Sequence, residues 1–304
     1  MLKMPFEVPE NRKIRVIIDT DAGCECDDQY AIAHALMSSK VDVRAILAEQ
    51  FAHIPGSMEM SYEEICRVCD LMGQEDVRVL RGSDNADVPS EGSRFIIEEA
   101  GREDIRPLFI LCQGALTNIA AAIKEAPEIQ NRVQLVVISG AEYPKGRYEF
   151  NTMNDADAFN YVMNSEVSVW MIPEEVYSTV QVGLFELKQN VEPCGKIGKY
   201  LYEKTLKTLE HMAAYLPEDP YKTSFEKALA FPNGESWSLG DSPALGVLLM
   251  HNGGTYDMVP APNVQPDGTY VFPEKSKLIR LYKTVNTRFI IDDFFAKLNW
   301  FYKN

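Results

Sequence analysis

A run of apolar residues that ends abruptly in acid is the strongest constraint on this chain. Val16, Ile17 and Ile18 predict a buried strand, and the apolar positions from Tyr30 to Met37 predict a helix. Between them lies a loop with five acidic residues: Asp19, Asp21, Glu25, Asp27 and Asp28. Carboxylates this close repel one another unless a cation neutralises them, and Ca²⁺ or Mg²⁺ prefers oxygen ligands.

The loop also has a simpler interpretation as a solvated acidic turn. Asp27 would then cap the helix, and Asp28 would complement the positive end of its dipole. Capping accounts for one or two of the acids but not for five. The position of the loop after a strand favours a functional site, because ligands of open α/β sheets bind outside the carboxyl ends of strands.

Strands and helices alternate over the first half of the chain. After the first strand we predict further strands at Val41–Glu49, Val77–Leu80, Leu108–Cys112, Val133–Ser139, Val167–Ile172 and Val176–Val182, and the central ones are nearly continuous apolar runs. Continuous rather than alternating runs are typical of strands buried on both faces. The pattern predicts an α/β fold with a Rossmann-like core, in which helices cover both faces of a mostly parallel central sheet.

The pattern changes from Leu184 to about Ala230, where Lys, Glu and Leu recur at helical spacing. We interpret residues 184–230 as a helical insertion packed on the sheet. The chain then returns to an apolar helix after Asp241, to hairpin-like strands, and to a closing helix at Phe289–Phe301. We therefore expect residues 1–304 to form a single domain.

Composition limits the partners of the chain. The formal charge of −15 argues against binding to nucleic acid or to an anionic membrane surface, since both need basic patches. We expect no membrane span, no signal peptide and a cytoplasmic protein, because no apolar run reaches the length of a span. The six cysteines form no disulfide pattern, and the C-x-x-C of Cys66 and Cys69 lies within a predicted helix without a second ligand pair.

Three further segments carry oxygen-rich side chains at the ends of predicted strands or at the starts of predicted helices. They lie in Gln113–Asn118, Glu149–Asp155 and Glu235–Asp241. In a doubly wound sheet these segments and the acidic loop are neighbours in space. Gly114 permits a sharp turn that would leave the carbonyl oxygen of Gln113 pointing outward as a neutral ligand. Asp241 alone is also a plausible helix cap.

These four segments resemble the motifs of the nucleoside hydrolases, also called inosine/uridine-preferring nucleoside N-ribohydrolases. The family's DTDPGxDD opening is similar to DTDAGCECDD, and its TGPLTN turn is similar to QGALTN at Gln113–Asn118. Its GG…EFN segment is similar to SGAEYPKGRYEFN at Ser139–Asn151, and its late H-D-P helix start is similar to GDSP at Gly240–Pro243. The four motifs occur in the family's order.

The resemblance implies a set of site residues. It places one Ca²⁺ on Asp21, Asp28, Asp241 and the backbone oxygen of Gln113. Asp21 would act as the general base toward water. The ribose would be bound by Asp27 at the 2′-hydroxyl and by Glu149 and Asn151 at other oxygens, with Asp19 behind the loop. The implied substrate is a nucleoside or a related N-riboside, and the implied assembly is a homodimer or a homotetramer.

The chain departs from the family on the side of the base. Two residues are inserted between Gly23 and Asp27, and Gly240 stands where family members carry a histidine that protonates the leaving base. Among the four histidines, His53 lies in a loop after a strand and is one candidate for that role. Trp237, Tyr148 and Phe51 are candidates for stacking on the base, and Glu25 and Glu235 are further candidates on this side.

Two rival functions remain at the level of sequence. A non-catalytic, metal-dependent nucleoside- or sugar-binding protein on the same scaffold would also keep the acidic loop while losing the base side. A phosphotransfer enzyme with an aspartyl nucleophile is disfavoured, because Gly23 stands where that motif needs Thr or Val. The hydrolase remains the preferred interpretation.

Overall fold

A computed structural model describes residues 3–215 and 234–303. Its strands are β1 Ile14–Thr20, β2 Val41–Ala48, β3 Val79–Arg81, β4 Leu108–Gln113, β5 Val133–Ile138, β6 Ser168–Ile172, β7 Gln181–Gly183, β8 Ser236–Ser238, β9 Gly254–Pro260, β10 Asn263–Val264, β11 Tyr270–Val271 and β12 Leu278–Val285. Its α-helices are α1 Asp28–Leu36, α2 Ser57–Leu71, α3 Glu91–Gly101, α4 Thr117–Glu125, α5 Phe150–Asn154, α6 Ala156–Asn164, α7 Glu174–Tyr177, α8 Leu184–Asn190, α9 Gly195–Tyr215, α10 Ser242–Leu249 and α11 Thr287–Tyr302.

Eight strands form the central sheet, in the order β3-β2-β1-β4-β5-β6-β12-β9. All neighbours are parallel except β12 and β9, which pair antiparallel. The chain winds from β1 toward β3 on one side and from β4 toward β6 on the other. The direction of winding therefore reverses between β1 and β4, and a crevice opens outside the carboxyl ends of strands at such a point.

Burial of β1 explains its composition. Every residue of this strand is buried, and its side chains alternate between two cores on opposite faces of the sheet. Val16 and Ile18 pack into the core that includes α1, α10 and α11, whereas Ile17 packs into the core that includes α3, α4 and α6. The fold class predicted from the sequence is confirmed.

The structure corrects one local prediction. The segment Val176–Val182 is not one strand, because α7 begins after Pro173 and only Gln181–Gly183 pairs, with β8. Helix α2 begins at Ser57 after a left-handed Gly56, and the short helix α5 lies in the connection that follows β5.

The insertion is helical where it is described. Helices α8 and α9 cover its first part, and residues 216–230 lie outside the described residues. Helix α9 packs on the core through Thr205, whose hydroxyl lies 2.9 Å from the Tyr30 hydroxyl, and through Tyr200, which donates to Glu64 at 2.5 Å. All six cysteines are free thiols, and in the described ranges no helix is both long and apolar enough for a bilayer.

Candidate active site at the carboxyl ends of β1 and β4

A cleft of about 350 Å³ opens where the winding of the sheet reverses. Its walls come from the acidic loop after β1, the start of α5, helix α7 and the β8–α10 connection. Most of the side chains that line it are polar or aromatic: Asp21, Cys24, Glu25, Asp27, Asp28, Glu149, Phe150, Asn151, Glu174, Tyr177, Trp237 and Asp241. Segments far apart in sequence therefore meet here, as the motifs predict.

Three carboxylates form the centre of the cleft. Oxygen atoms of Asp27, Asp28 and Asp241 lie within 4.8 Å of one another, close enough to hold one metal ion. Asp28 and Asp241 are buried, and the hydroxyl of Thr20 donates to Asp28. A group of acids exposed to solvent would need no counter-charge, but these acids are largely withdrawn from water.

Helix capping does not explain Asp27 and Asp241. Both residues occupy the N-cap position, of α1 and α10 respectively, yet neither side chain accepts a capping hydrogen bond from its helix. Both also have helical backbone angles, whereas a capping residue is typically extended. Their carboxylates instead line the cleft.

Asp21 lies beside this group and is 4% exposed. Its Oδ2 atom is buried without a hydrogen-bond partner in the described parts of the chain. Gly114 keeps β4 close to it, because a Cβ atom at this position would lie 3.2 Å from the Asp21 Cγ. Gln113 precedes this glycine, and its Nε2 donates to the backbone oxygen of Asp241 at 3.1 Å. Asp21 and Gln113, which with Asp28 and Asp241 make up the four predicted metal ligands, thus lie beside the three carboxylates.

Burial and mutual repulsion raise the pKa values of these acids. Burial is the larger cause for Asp21, Asp27 and Asp241, and the charges of neighbouring carboxylates add to it. Burial also raises the pKa of Asp28 to about 6, although the Thr20 hydroxyl opposes the shift. A cation placed between these carboxylates would relieve their mutual repulsion, and an all-oxygen donor set suits Ca²⁺ or Mg²⁺. The residues present therefore fit a hard divalent ion.

A second acidic layer lies behind the cleft. Asn118 donates from Nδ2 to Asp19 at 2.8 Å and from its backbone N–H to Glu49 at 2.9 Å. Burial raises the pKa of Asp19 to about 7, and burial with the charge of Asp19 raises the pKa of Glu49. Glu49 was not predicted, although an acid that ends an apolar strand is the same signal that identified Asp19.

Five hydrogen bonds of 3.2 Å or shorter hold Glu149. Its Oε2 accepts from the backbone N–H of Gly140 and from the N–H and hydroxyl of Thr152, while its Oε1 accepts from the Asn151 N–H and the Tyr177 hydroxyl. These bonds fix the carboxylate at the start of α5, facing the cleft. Tyr177 was not predicted, because only the tertiary fold brings α7 to Glu149.

Glu149→Gln is expected to lower the Tm by roughly 5–10 °C, because the amide cannot accept all five hydrogen bonds and presents its own N–H groups to some of the donors. Differential scanning calorimetry measures the change, and Glu128→Gln on the exposed surface is the matched control. Equal Tm values for the two variants would contradict this description of Glu149.

Trp237 and His53, two candidates for the base side, are placed differently. Trp237 is 1% exposed and lines the cleft. His53 is exposed and does not line it. Glu25, in the inserted pair of residues, does line the cleft, and burial together with the charge of Asp28 raises its pKa to about 7.

The chain is similar to one known protein family and to several named proteins. The family model described as inosine-uridine preferring nucleoside hydrolase matches residues 16–267. The pyrimidine-specific ribonucleoside hydrolase RihA of Salmonella paratyphi B is 24% identical over 205 residues, which are 57% of this chain and 64% of that protein. RihA of Escherichia coli O9:H4 is 25% identical over 198 residues, covering 55% and 62%. The matched part thus spans less than two thirds of the length of these relatives.

Solved structures share the fold at low sequence identity. The plant nucleoside hydrolase PpNRh1 superimposes with a TM-score of 0.75 and 19% identity, over 94% of this chain and 98% of that one. The purine-preferring ribonucleoside hydrolase from Gardnerella vaginalis superimposes with a TM-score of 0.74 and 21% identity, over the same shares. The likeness therefore covers the central sheet and nearly all of its connections.

Proposed function

The chain belongs to the inosine-uridine preferring nucleoside hydrolase family, and we propose that it hydrolyses the N-glycosidic bond of a ribonucleoside or related N-riboside. The products are ribose and the free base. The observation that carries the proposal is the buried Oδ2 of Asp21, which has no hydrogen-bond partner among the described residues and lies beside the carboxylates of Asp27, Asp28 and Asp241. Such a group of acids suits both a metal ion and the positive charge that develops on the sugar.

The proposed metal is Ca²⁺, held by Asp21, Asp28, Asp241 and the backbone oxygen of Gln113. When bound, the ion supplies neutralising charge and lowers the pKa of a coordinated water. The position of Asp27 within the same carboxylate group supports its role at the ribose 2′-hydroxyl.

Asp21 is the proposed general base. It removes a proton from the attacking water as the bond between the sugar and the base breaks. The Asp21 side chain is buried and lines the cleft. Glu149 and Asn151 hold the other ribose oxygens. Asn151 is oriented for this by its Nδ2, which donates to the backbone oxygen of Ile138 at 3.0 Å. The buried carboxylates stabilise the oxocarbenium-like transition state electrostatically.

The finer properties of the enzyme are also proposals. We infer that Trp237 packs against the base, since it is buried in the cleft wall. His53 would need a movement of its loop to take part. The family resemblance supports a homodimer or homotetramer that acts in the cytoplasm in the salvage of purines or pyrimidines.

A reducing-sugar assay over a panel of purine and pyrimidine nucleosides tests the proposal. We expect ribose release with Ca²⁺ present and no release after treatment with a chelator. The rival binding protein is tested on the same samples by isothermal titration calorimetry. Calcium-dependent binding of nucleosides without ribose release would replace the hydrolase with that rival.

A further inference from the structure

The wall of the cleft formed by Tyr177 is poorly suited to protonate a departing base. A Cβ atom on Gly240 would lie 3.0 Å from Asp27 Oδ2 and 3.2 Å from Tyr177 Cδ2, so the aromatic ring fills the direction of a side chain at position 240. The Tyr177 hydroxyl donates a hydrogen bond to Glu149 at 2.9 Å. Its pKa is raised by burial and by the charge of Glu149, which makes the hydroxyl a poor acid.

The same cleft has a formal excess of negative charge. Seven of its lining residues are acids, and among the described residues no Lys, Arg or His lines it. One of the acids, Glu174, is paired with Arg147 at 2.7 Å. A divalent ion and this guanidinium would neutralise three formal charges, so an excess of negative charge remains for a ligand to meet. Glu25 contributes to it without an ion pair to any residue in the described ranges.

Leaving groups differ in what they require from such a wall. When the bond to a neutral base breaks, its electron pair moves to the ring nitrogen and produces an anion, which needs a proton. A cationic base takes the same electron pair and leaves as a neutral ring. It therefore needs no acid, and before cleavage its charge is attracted by the carboxylates.

We infer that the preferred substrates of this site are N-ribosides of cationic heteroaromatic bases, such as a pyridinium or an N7-alkylated purine. The inference rests on the proposed N-riboside hydrolysis. In the reaction, the C1′–N bond breaks and water adds its oxygen to C1′. The water proton passes to Asp21 and then to solvent, and the base departs uncharged.

Matched substrates test this inference. The comparison is between 7-methylguanosine and guanosine, and between nicotinamide riboside and uridine, with 4-nitrophenyl ribofuranoside as a neutral substrate whose leaving group needs no proton. We expect kcat/KM to be about 100-fold higher for each cationic member of a pair, since both charge attraction and leaving-group chemistry favour it.

Variants separate recognition of charge from the intrinsic lability of the substrate. Glu25→Gln should raise the KM for 7-methylguanosine about ten-fold more than the KM for 4-nitrophenyl ribofuranoside. Glu128→Gln, on the exposed surface outside the cleft, is the control of equal charge and should change neither KM value.

Each of the other outcomes has a distinct meaning. Cleavage of 4-nitrophenyl ribofuranoside without preference for the cationic nucleosides overturns the inference and leaves the proposed function in place. No cleavage of any riboside overturns the proposed function itself. Loss of guanosine and uridine cleavage in Glu25→Gln, with 7-methylguanosine cleavage retained, would show that Glu25 is the leaving-group acid and would also overturn the inference.

Discussion

Asp21→Asn is expected to lower kcat by at least about a thousand-fold, because the amide can neither accept a proton from water nor supply the negative charge of the carboxylate. Asn has nearly the same shape as Asp, so the close packing against Gly114 is kept. Steady-state ribose release at saturating Ca²⁺ measures the effect. The KM for the same nucleoside should change far less than kcat if the loss lies in the chemical step.

A folding defect would also abolish turnover, but the structure predicts that this variant is at least as stable as the wild type. The Asp21 pKa is raised by burial and by neighbouring carboxylates, so the neutral amide removes an unfavourable buried charge. The Tm of metal-free Asp21→Asn should therefore equal or exceed that of the metal-free wild type. Asp70→Asn, on the exposed face of α2, is the control and should retain full turnover. If Asp21→Asn keeps its turnover, Asp21 is not the base.

Removal of divalent ions is expected to lower the Tm at pH 8 by at least about 5 °C, with a much smaller change at pH 5. The folded-state pKa is about 6 for Asp28 and about 7 for Glu25, above the ordinary values of these groups. A raised carboxyl pKa stabilises the fold fully below the ordinary value, and this contribution is lost as the pH rises through the folded-state value. The metal-free protein should thus weaken progressively between about pH 4 and pH 7.

Thermal scans at both pH values, with and without Ca²⁺, measure this effect. Ca²⁺ should restore the Tm at pH 8 more than Mg²⁺ does, because Mg²⁺ gives up its water ligands reluctantly. Asp241→Asn is the matched variant, since it removes one ligand and one buried charge together. Its Tm in chelator should exceed that of the wild type and respond weakly to Ca²⁺. A wild-type Tm that is the same with and without Ca²⁺ at pH 8 would argue against a metal at this site.

The central sheet could be predicted because its strands carry their own signal. Segments such as Ile14–Thr20 and Val133–Ile138 are buried on both faces, so their sequences are continuously apolar. The prediction failed at Val176–Val182, where β-branched residues suggested a strand. The preceding Pro173 and the acids Glu174 and Glu175 mark a helix start, and that local signal determines the structure.

The residues of the candidate site could likewise be predicted only in part. The carboxylates around Asp21 and Asp28 could be predicted because they are crowded in one short loop. Tyr177 could not, because its relevance depends on a hydrogen bond to Glu149, and no local pattern reports a contact between those two segments. Gly240 was visible as a departure from the family, but only the structure shows that the Tyr177 ring lies where its side chain would extend.

The carboxylate group joins parts of the chain that are more than two hundred residues apart, since Asp28 opens α1 and Asp241 precedes α10. A ligand that bridges these two residues binds the folded chain and not the unfolded one, so its binding free energy adds to the stability of the fold. Occupancy of the site would then govern the lifetime of the protein against proteolysis as well as its turnover. In a cell, the supply of the bridging ion would set the amount of enzyme and its activity together.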